Sequence, residues 1–241
     1  MCSASNTCIS IENLEARYGS RVVLHDLSMS VGHGKVTSIL GHNGAGKSTL
    51  LKALFNLIER RGRIELDSQC IDGMDQRALV RRGMAYVPQG CRVLTRMTVR
   101  ENLEIAGFGA GLREGDERFR NEVSRLMDSF PALSERFEQE AGTLSGGEKQ
   151  MLALCCALVT SPRVLLLDEP SHGLSPERVT ACLNKISEIN QVDGITVVLV
   201  EQRVRLVLSI SDYTIILRNG KISYQGRSAE IRDDVIKESF L

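Results

Sequence analysis

Residues 41–49 read GHNGAGKST, preceded by the apolar run KVTSIL (35–40) and followed by the helical pattern KSTLLKALFNLI (47–58). The spacing is G-x-x-x-x-G-K-[ST], and strand before, helix after is the context that gives it meaning. Gly41, Gly44 and Gly46 let the backbone curl so that its N–H groups face an anion, and the helix N-terminus adds its partial positive charge. Lys47 is suited to neutralising β- and γ-phosphates, and the Ser48 hydroxyl to ligating Mg²⁺. With Asn43 and Thr49, these residues form the candidate phosphate-binding set. A glycine-rich turn that merely precedes a lysine would leave the flanking strand and helix unexplained.

Such a loop needs an acidic partner at the end of a neighbouring buried strand. The run VLLLDE (164–169) supplies one. Two carboxylates closing an apolar strand are costly to bury without a cation. Asp168 is therefore the candidate for the magnesium shell, and Glu169 the candidate general base that polarises an attacking water.

Working outward, ISIENLEARYG and RVVLHDLSMSV alternate as half-buried antiparallel strands across a Gly-Ser turn. In the helix after the loop, Leu50, Leu51, Leu54, Phe55 and Ile58 share one face. GRIEL is a further strand, turned by DSQ. From Leu94 to Thr160 the pattern is mainly helical and more polar. RVLLLDE and GITVVLVEQ are continuous apolar runs, expected of strands covered on both faces. YTIILRNGKISYQG reads as a hairpin, because Asn219–Gly220 suits a type I′ turn. The expected architecture is one α/β domain over 1–241, with an antiparallel β flank and a helical insertion over roughly 90–160.

The 241 residues carry 30 basic and 30 acidic side chains, net charge +0, which lacks the electrostatic footprint of a nucleic-acid binder. No apolar run approaches the roughly 18–20 residues that span a bilayer. The start MCSASNTCIS has neither the basic nor the apolar region of a secretion signal, so a cytosolic location is expected. Seven cysteines without a C-x-x-C pair read as small core residues, Cys155 and Cys156 above all. The four histidines at 25, 33, 42 and 172 are scattered, which argues against a zinc site.

LSGGEKQ (144–150) is the most specific segment. Ser145 and Glu148 form an S-x-x-E capping box, a common helix start. Gly146 and Gly147 in the first turn sacrifice about 1 kcal/mol each of helix propensity relative to alanine. In return they leave the helix N-terminus open to an anion. A chain whose own phosphate loop is filled has no use for a second phosphate-facing helix, unless another subunit brings a second nucleotide.

GHNGAGKST, VPQG, LSGGEKQ, VLLLDEP and GLSP, in that order and spanning nearly the whole chain, resemble an ABC-type ATP-binding cassette. The resemblance implies a P-loop NTPase (RecA-like) core, ATP and Mg²⁺ as ligands, and head-to-tail pairing with a second cassette. In such a pair each ATP lies between one phosphate loop and the other subunit's Ser145, Gly146 and Gly147. It further implies that Tyr18 stacks on adenine, that Gln89 senses Mg²⁺ and the attacking water, and that GLSP (173–176) crosses the interface. Where most cassettes carry a histidine that touches the γ-phosphate, this chain has Gln202, which can donate a hydrogen bond but cannot act as a titrating proton carrier. Glu169 is left as the base.

VPQGCRVLTRMTVRENLEIAGF, EPSHGLSP and VVLVEQRVRLVLSISD, with the short terminus SFL, are similar to ATPase subunits of branched-chain amino-acid, urea and short-amide importers. That kinship implies permease partners, an indirect link to a solute-binding protein, and a peripheral place on the inner face of the cell membrane. The alternatives are the ATPase of a lipid or lipopolysaccharide exporter, a soluble non-transport ATPase, and an accessory that binds ATP without turnover. Intact Lys47, Asp168 and Glu169 argue against the last. Homo- and heteromeric pairing both remain open.

Overall fold

Strand Val164–Asp168 alternates between two hydrophobic cores. Leu165 and Leu167 enter one, Val164 and Leu166 the other. Strand Thr196–Val200 divides the same way, with Val197 and Leu199 on one side and Val198 and Val200 on the other. Successive side chains point to opposite faces of a strand, so an unbroken apolar run requires cover on both sides.

The computed structural model describes residues 6–90, 92–232 and 234–236. The sequence readings at the extreme amino terminus and at the closing SFL fall outside them. The chain begins with β1 (Thr7–Tyr18) and β2 (Arg21–Gly32), followed by β3 (Val36–Leu40), α1 (Lys47–Leu54), β4 (Glu59–Leu66) and β5 (Gln69–Cys70). Next come α2 (Gln76–Arg81), β6 (Met84–Val87), α3 (Val99–Gly109), α4 (Glu117–Ser129), α5 (Pro131–Ser134) and α6 (Gly146–Leu158). The chain closes with β7 (Val164–Asp168), α7 (Pro176–Asp193), β8 (Thr196–Val200), α8 (Val204–Leu208), β9 (Tyr213–Arg218) and β10 (Lys221–Arg227).

Two sheets result. The antiparallel one has the order β2-β1-β4-β5, the central one β10-β9-β3-β8-β7-β6. Within the central sheet β6, β7, β8, β3 and β9 run parallel, and β10 returns antiparallel beside β9. One core lies between the two sheets and includes α1; the other lies beneath α3 to α7. The β3 carboxyl end, Leu40, leads straight into the glycine-rich loop.

The hairpin reading holds: Asn219 and Gly220 both have positive φ, 49° and 75°. This turn also braces the glycine-rich loop, since Gly220 N–H donates to Ala45 O at 3.0 Å. Four expectations need correction. Helix α1 stops at Leu54, so Ile58 is not on its face; Asn56 turns left-handed (φ 49°) and its Nδ2 donates to Ile71 and Met74 carbonyls instead. The acidic strand β7 is not adjacent to β3, because β8 lies between them. Cys155 is fully buried as expected, whereas Cys156 is only partly buried against the same core. The GRIEL strand also starts earlier, at Glu59, and α2, β6 and α7 join the elements read from sequence.

Among the described residues no helix is long and apolar enough to cross a membrane.

Candidate active site

The carboxyl ends of four adjacent strands assemble the site. The glycine-rich loop follows β3, Gln202 follows β8, Asp168 and Glu169 close β7, and Gln89 follows β6. Open parallel sheets bind ligands along this edge, where no ladder hydrogen bonds continue.

The loop is wound as its glycines predict. Gly41, Gly44 and Gly46 have φ of 146°, 84° and 104°. At Gly41 a Cβ would collide with Leu217 O, so only glycine fits there. Lys47 folds back over the loop, its Nζ donating to Gly41 O at 2.8 Å and His42 O at 3.1 Å. Burial lowers the Lys47 pKa, against the fields of Glu169, Asp168 and Glu201, which raise it. The result is a desolvated cation in a nest of N–H groups, suited to a polyphosphate.

Ser48 Oγ donates to Asp168 Oδ1 at 2.8 Å, and Tyr86 OH to Asp168 Oδ2 at 3.2 Å. Burial still lifts the Asp168 carboxyl above its ordinary range, the two hydrogen bonds only partly offsetting it. A hydroxyl and a desolvated buried carboxylate side by side are the hard oxygen donors that a small divalent cation takes.

Glu169 is held at both oxygens. Gln202 Nε2 donates to Oε1 at 2.7 Å, and Gln89 Nε2 to Oε2 at 2.8 Å. Its φ of 48° is left-handed, an unusual conformation for a non-glycine residue and one that collects at functional sites. Gln89 therefore meets Glu169, while the hydrogen bonds of Asp168 go to Ser48 and Tyr86.

These residues open on a cleft of about 640 Å³, lined also by Asn43, Thr49 and Tyr18. Tyr18 is 44% exposed at its rim rather than part of the core, with Lys52 Nζ 5.8 Å from its ring centroid.

Helix α6, which opens at Ser145, stands apart from this cleft. Its capping box forms as read: Ser145 Oγ accepts from Glu148 N at 3.4 Å, and the Glu148 carboxylate accepts from Ser145 N at 2.7 Å. The two glycines differ. A Cβ at Gly146 would meet open space, whereas one at Gly147 would lie 2.9 Å from Arg178 Nη1.

Sequence reasoning missed four contributors. Tyr86 supports Asp168. His172 Nδ1 lies 3.4 Å from Glu169 Oε2. Glu201, 2% exposed, accepts from Ser171 N at 2.9 Å and so pins the turn that leads into GLSP to the end of β8. Arg178 Nη1 donates to Ser145 Oγ at 3.2 Å. Only Glu201 left a trace in the sequence, as an acid ending an apolar strand.

A phosphate loop, an acid pair on the strand two places away and a glycine-bearing second helix N-terminus define a P-loop ATP-binding cassette. The chain belongs to the ABC transporter family, whose profile matches residues 24–172, and it is an ABC transporter ATPase. It is 37% identical to the high-affinity branched-chain amino acid transport ATP-binding protein BraG of Pseudomonas aeruginosa, over 97% of this chain and 99% of that protein. It is 36% identical to the probable branched-chain amino acid transport ATP-binding protein LivF of Archaeoglobus fulgidus, over 90% and 91%. Methionine import ATP-binding protein MetN 1 of Oceanobacillus iheyensis is 30% identical over 94% of this chain and 68% of its own length. A nucleotide-free ATP-binding cassette from an ABC transporter superposes with a TM-score of 0.84 at 28% identity, covering 97% of this chain and 94% of that one.

Proposed function

We propose that this chain is the energy-coupling ATPase subunit of an importer for branched-chain amino acids, urea or related small polar solutes. It works as one of two paired cassettes, docked on permease subunits at the inner face of the cell membrane and served indirectly by a solute-binding protein. The observation that carries the importer reading is its near full-length similarity to BraG, a protein named for branched-chain amino-acid transport. The exporter alternative has the similarity to a bacterial Atm1-family exporter, which this chain covers over only 40% of that chain. Residues 1–241 act as one nucleotide-binding unit, with the segment of roughly 90–160 as its helical part.

In this reading Ser48 and Asp168, with Gln89 nearby, hold Mg²⁺, which when bound supplies positive charge to the phosphate oxygens. Tyr18 stacks on the adenine. Lys47 and the N–H groups of Gly41, Asn43, Gly44, Gly46, Ser48 and Thr49 orient the phosphates. Glu169 accepts a hydrogen bond from the attacking water and draws off its proton, its carboxylate aimed by the Gln89 and Gln202 amides. Ser145, Gly146 and Gly147 of the second cassette close over the γ-phosphate. ATP then favours the closed pair and hydrolysis releases it, which is how differential affinity becomes motion.

Two measurements test this. Purified chain should release phosphate from ATP only with Mg²⁺ present. Expression in a bacterial strain lacking its own branched-chain transporter ATPase should restore leucine uptake together with the cognate permeases. Phosphate release without uptake would sink the importer reading and leave the ATPase standing.

A further inference from the structure

At the opposite edge of the central sheet, three side chains of metal-ligating type meet. Cys8 lies at the start of β1, His33 just after β2, and Asp67 in the β4–β5 turn. One ligand atom from each lies within 4.8 Å of the others. Backbone hydrogen bonds hold the three together: His33 N donates to Asn6 O at 3.1 Å, and Asp67 N to Cys8 O at 2.9 Å.

Asp67 Oδ1 is buried and has no hydrogen-bond partner, although His33 Nε2 lies 3.3 Å away. That separation is about the edge of a tetrahedron whose metal–N and metal–O bonds are about 2.0–2.1 Å. The outer atoms are also in place. Asp67 Oδ2 holds Arg163 Nη1 at 2.8 Å, which aims Oδ1 inward. Cys8 is 2% exposed, with the Thr196 hydroxyl and the Asp67 carboxylate beside its thiol. Such supporting contacts fix ligand orientation at built metal sites.

We propose that Cys8, His33 and Asp67 bind a thiophilic divalent cation of the zinc class, with solvent completing a tetrahedron. Burial pushes the free Cys8 thiol up to about 11, so binding releases that proton to solvent as the sulfur becomes a thiolate ligand. The S, N, O donor set separates this site from the oxygen donors of Ser48 and Asp168, which suit magnesium. It is also remote from them. Arg163 and Thr196 stand at the start of β7 and β8, whose far ends carry the catalytic residues, about 16 Å away at about 3.3 Å per residue. The cation would therefore tie β1, the end of β2 and the β4–β5 turn of the antiparallel sheet together without competing with nucleotide. The rival reading is a His33–Asp67 ion pair over an inert core thiol.

Cobalt(II) is the probe, titrated into the purified full chain without nucleotide and followed by thiolate-to-cobalt charge-transfer absorption. One equivalent should produce the band, and zinc should displace it. Cys8→Ser should abolish the band. His33→Ala, at a half-exposed position that the fold tolerates, should weaken cobalt binding at least tenfold. Cys70→Ser, at an exposed cysteine, should change nothing. Absence of the band in the parent, its survival in Cys8→Ser, unaltered affinity in His33→Ala or its loss in Cys70→Ser each overturns the site.

Discussion

Gln202 donates its side-chain amide to Glu169 Oε1 at 2.7 Å, so the glutamine that ends β8 aims the carboxylate that ends β7. A preorganised donor at such a place is worth about 2–4 kcal/mol of transition-state stabilisation. Gln202→Ala should lower kcat by roughly 30- to 1000-fold while the KM for ATP stays within about twofold. Steady-state phosphate release checks this, and an alanine variant as fast as the parent would return Gln202 to a strand end.

Removing the loop cation should act on binding instead. Lys47→Ala is expected to cut Mg-ATP affinity by at least about tenfold, since hydrogen bonds to charged groups contribute roughly 1.5–3 kcal/mol. Isothermal calorimetry measures it directly, and undiminished affinity would count against the phosphate-loop assignment.

Glu169→Gln keeps the side-chain shape and one acceptor oxygen for the flanking Gln89 and Gln202 amides but removes the base. The variant should bind ATP and accumulate as a dimer, whereas ADP should leave it monomeric. Light scattering with each nucleotide tests this; a monomer with ATP would mean that the isolated subunits do not pair.

Arg178 occupies the bare face of Gly147 and hydrogen-bonds Ser145. Its guanidinium thus stands beside the residues expected to meet the partner's γ-phosphate. Arg178→Ala should weaken ATP-driven dimerisation of Glu169→Gln by about tenfold, ~1.4 kcal/mol, without altering monomer affinity for ATP. Arg178→Lys should restore part of it. Dimerisation isotherms from sedimentation decide the matter, and equal isotherms would confine Arg178 to packing.

Asp168 has a raised folded pKa, so the folded chain holds that proton more tightly than the unfolded chain. Its contribution to stability is present below the ordinary carboxylate range and is lost as pH rises through the raised value. At neutral pH, without nucleotide, Asp168→Asn should therefore melt higher, by about 2–4 °C, the shift that ~1 kcal/mol gives a domain of this size. The gain should shrink as pH falls through that raised value and be gone below about 4. Calorimetric scans across pH check it; the same variant should lose Mg-dependent hydrolysis, the usual cost of relieving a functional strain.

Much was legible locally. The glycines at 41, 44 and 46, the Ser145–Glu148 box and the Asn219–Gly220 turn are readable because each depends on backbone conformation within a few residues. The continuous apolar runs Val164–Leu167 of β7 and Val197–Val200 of β8 likewise announce burial on both faces, since side chains alternate along a strand. What tertiary structure alone decided is which side chains from distant segments meet. Gln89 and Gln202 reach Glu169 across 80 and 33 residues of sequence, and Tyr86 reaches Asp168 across 82. The order of strands in the sheet puts β8 between β3 and β7, and no periodicity carries that information. Arg178 against Gly147 and Asp67 against His33 are of the same kind, pairings set by how two elements pack. Period and turn chemistry act along the chain, whereas the geometry of a site is fixed by contacts between segments the chain keeps far apart.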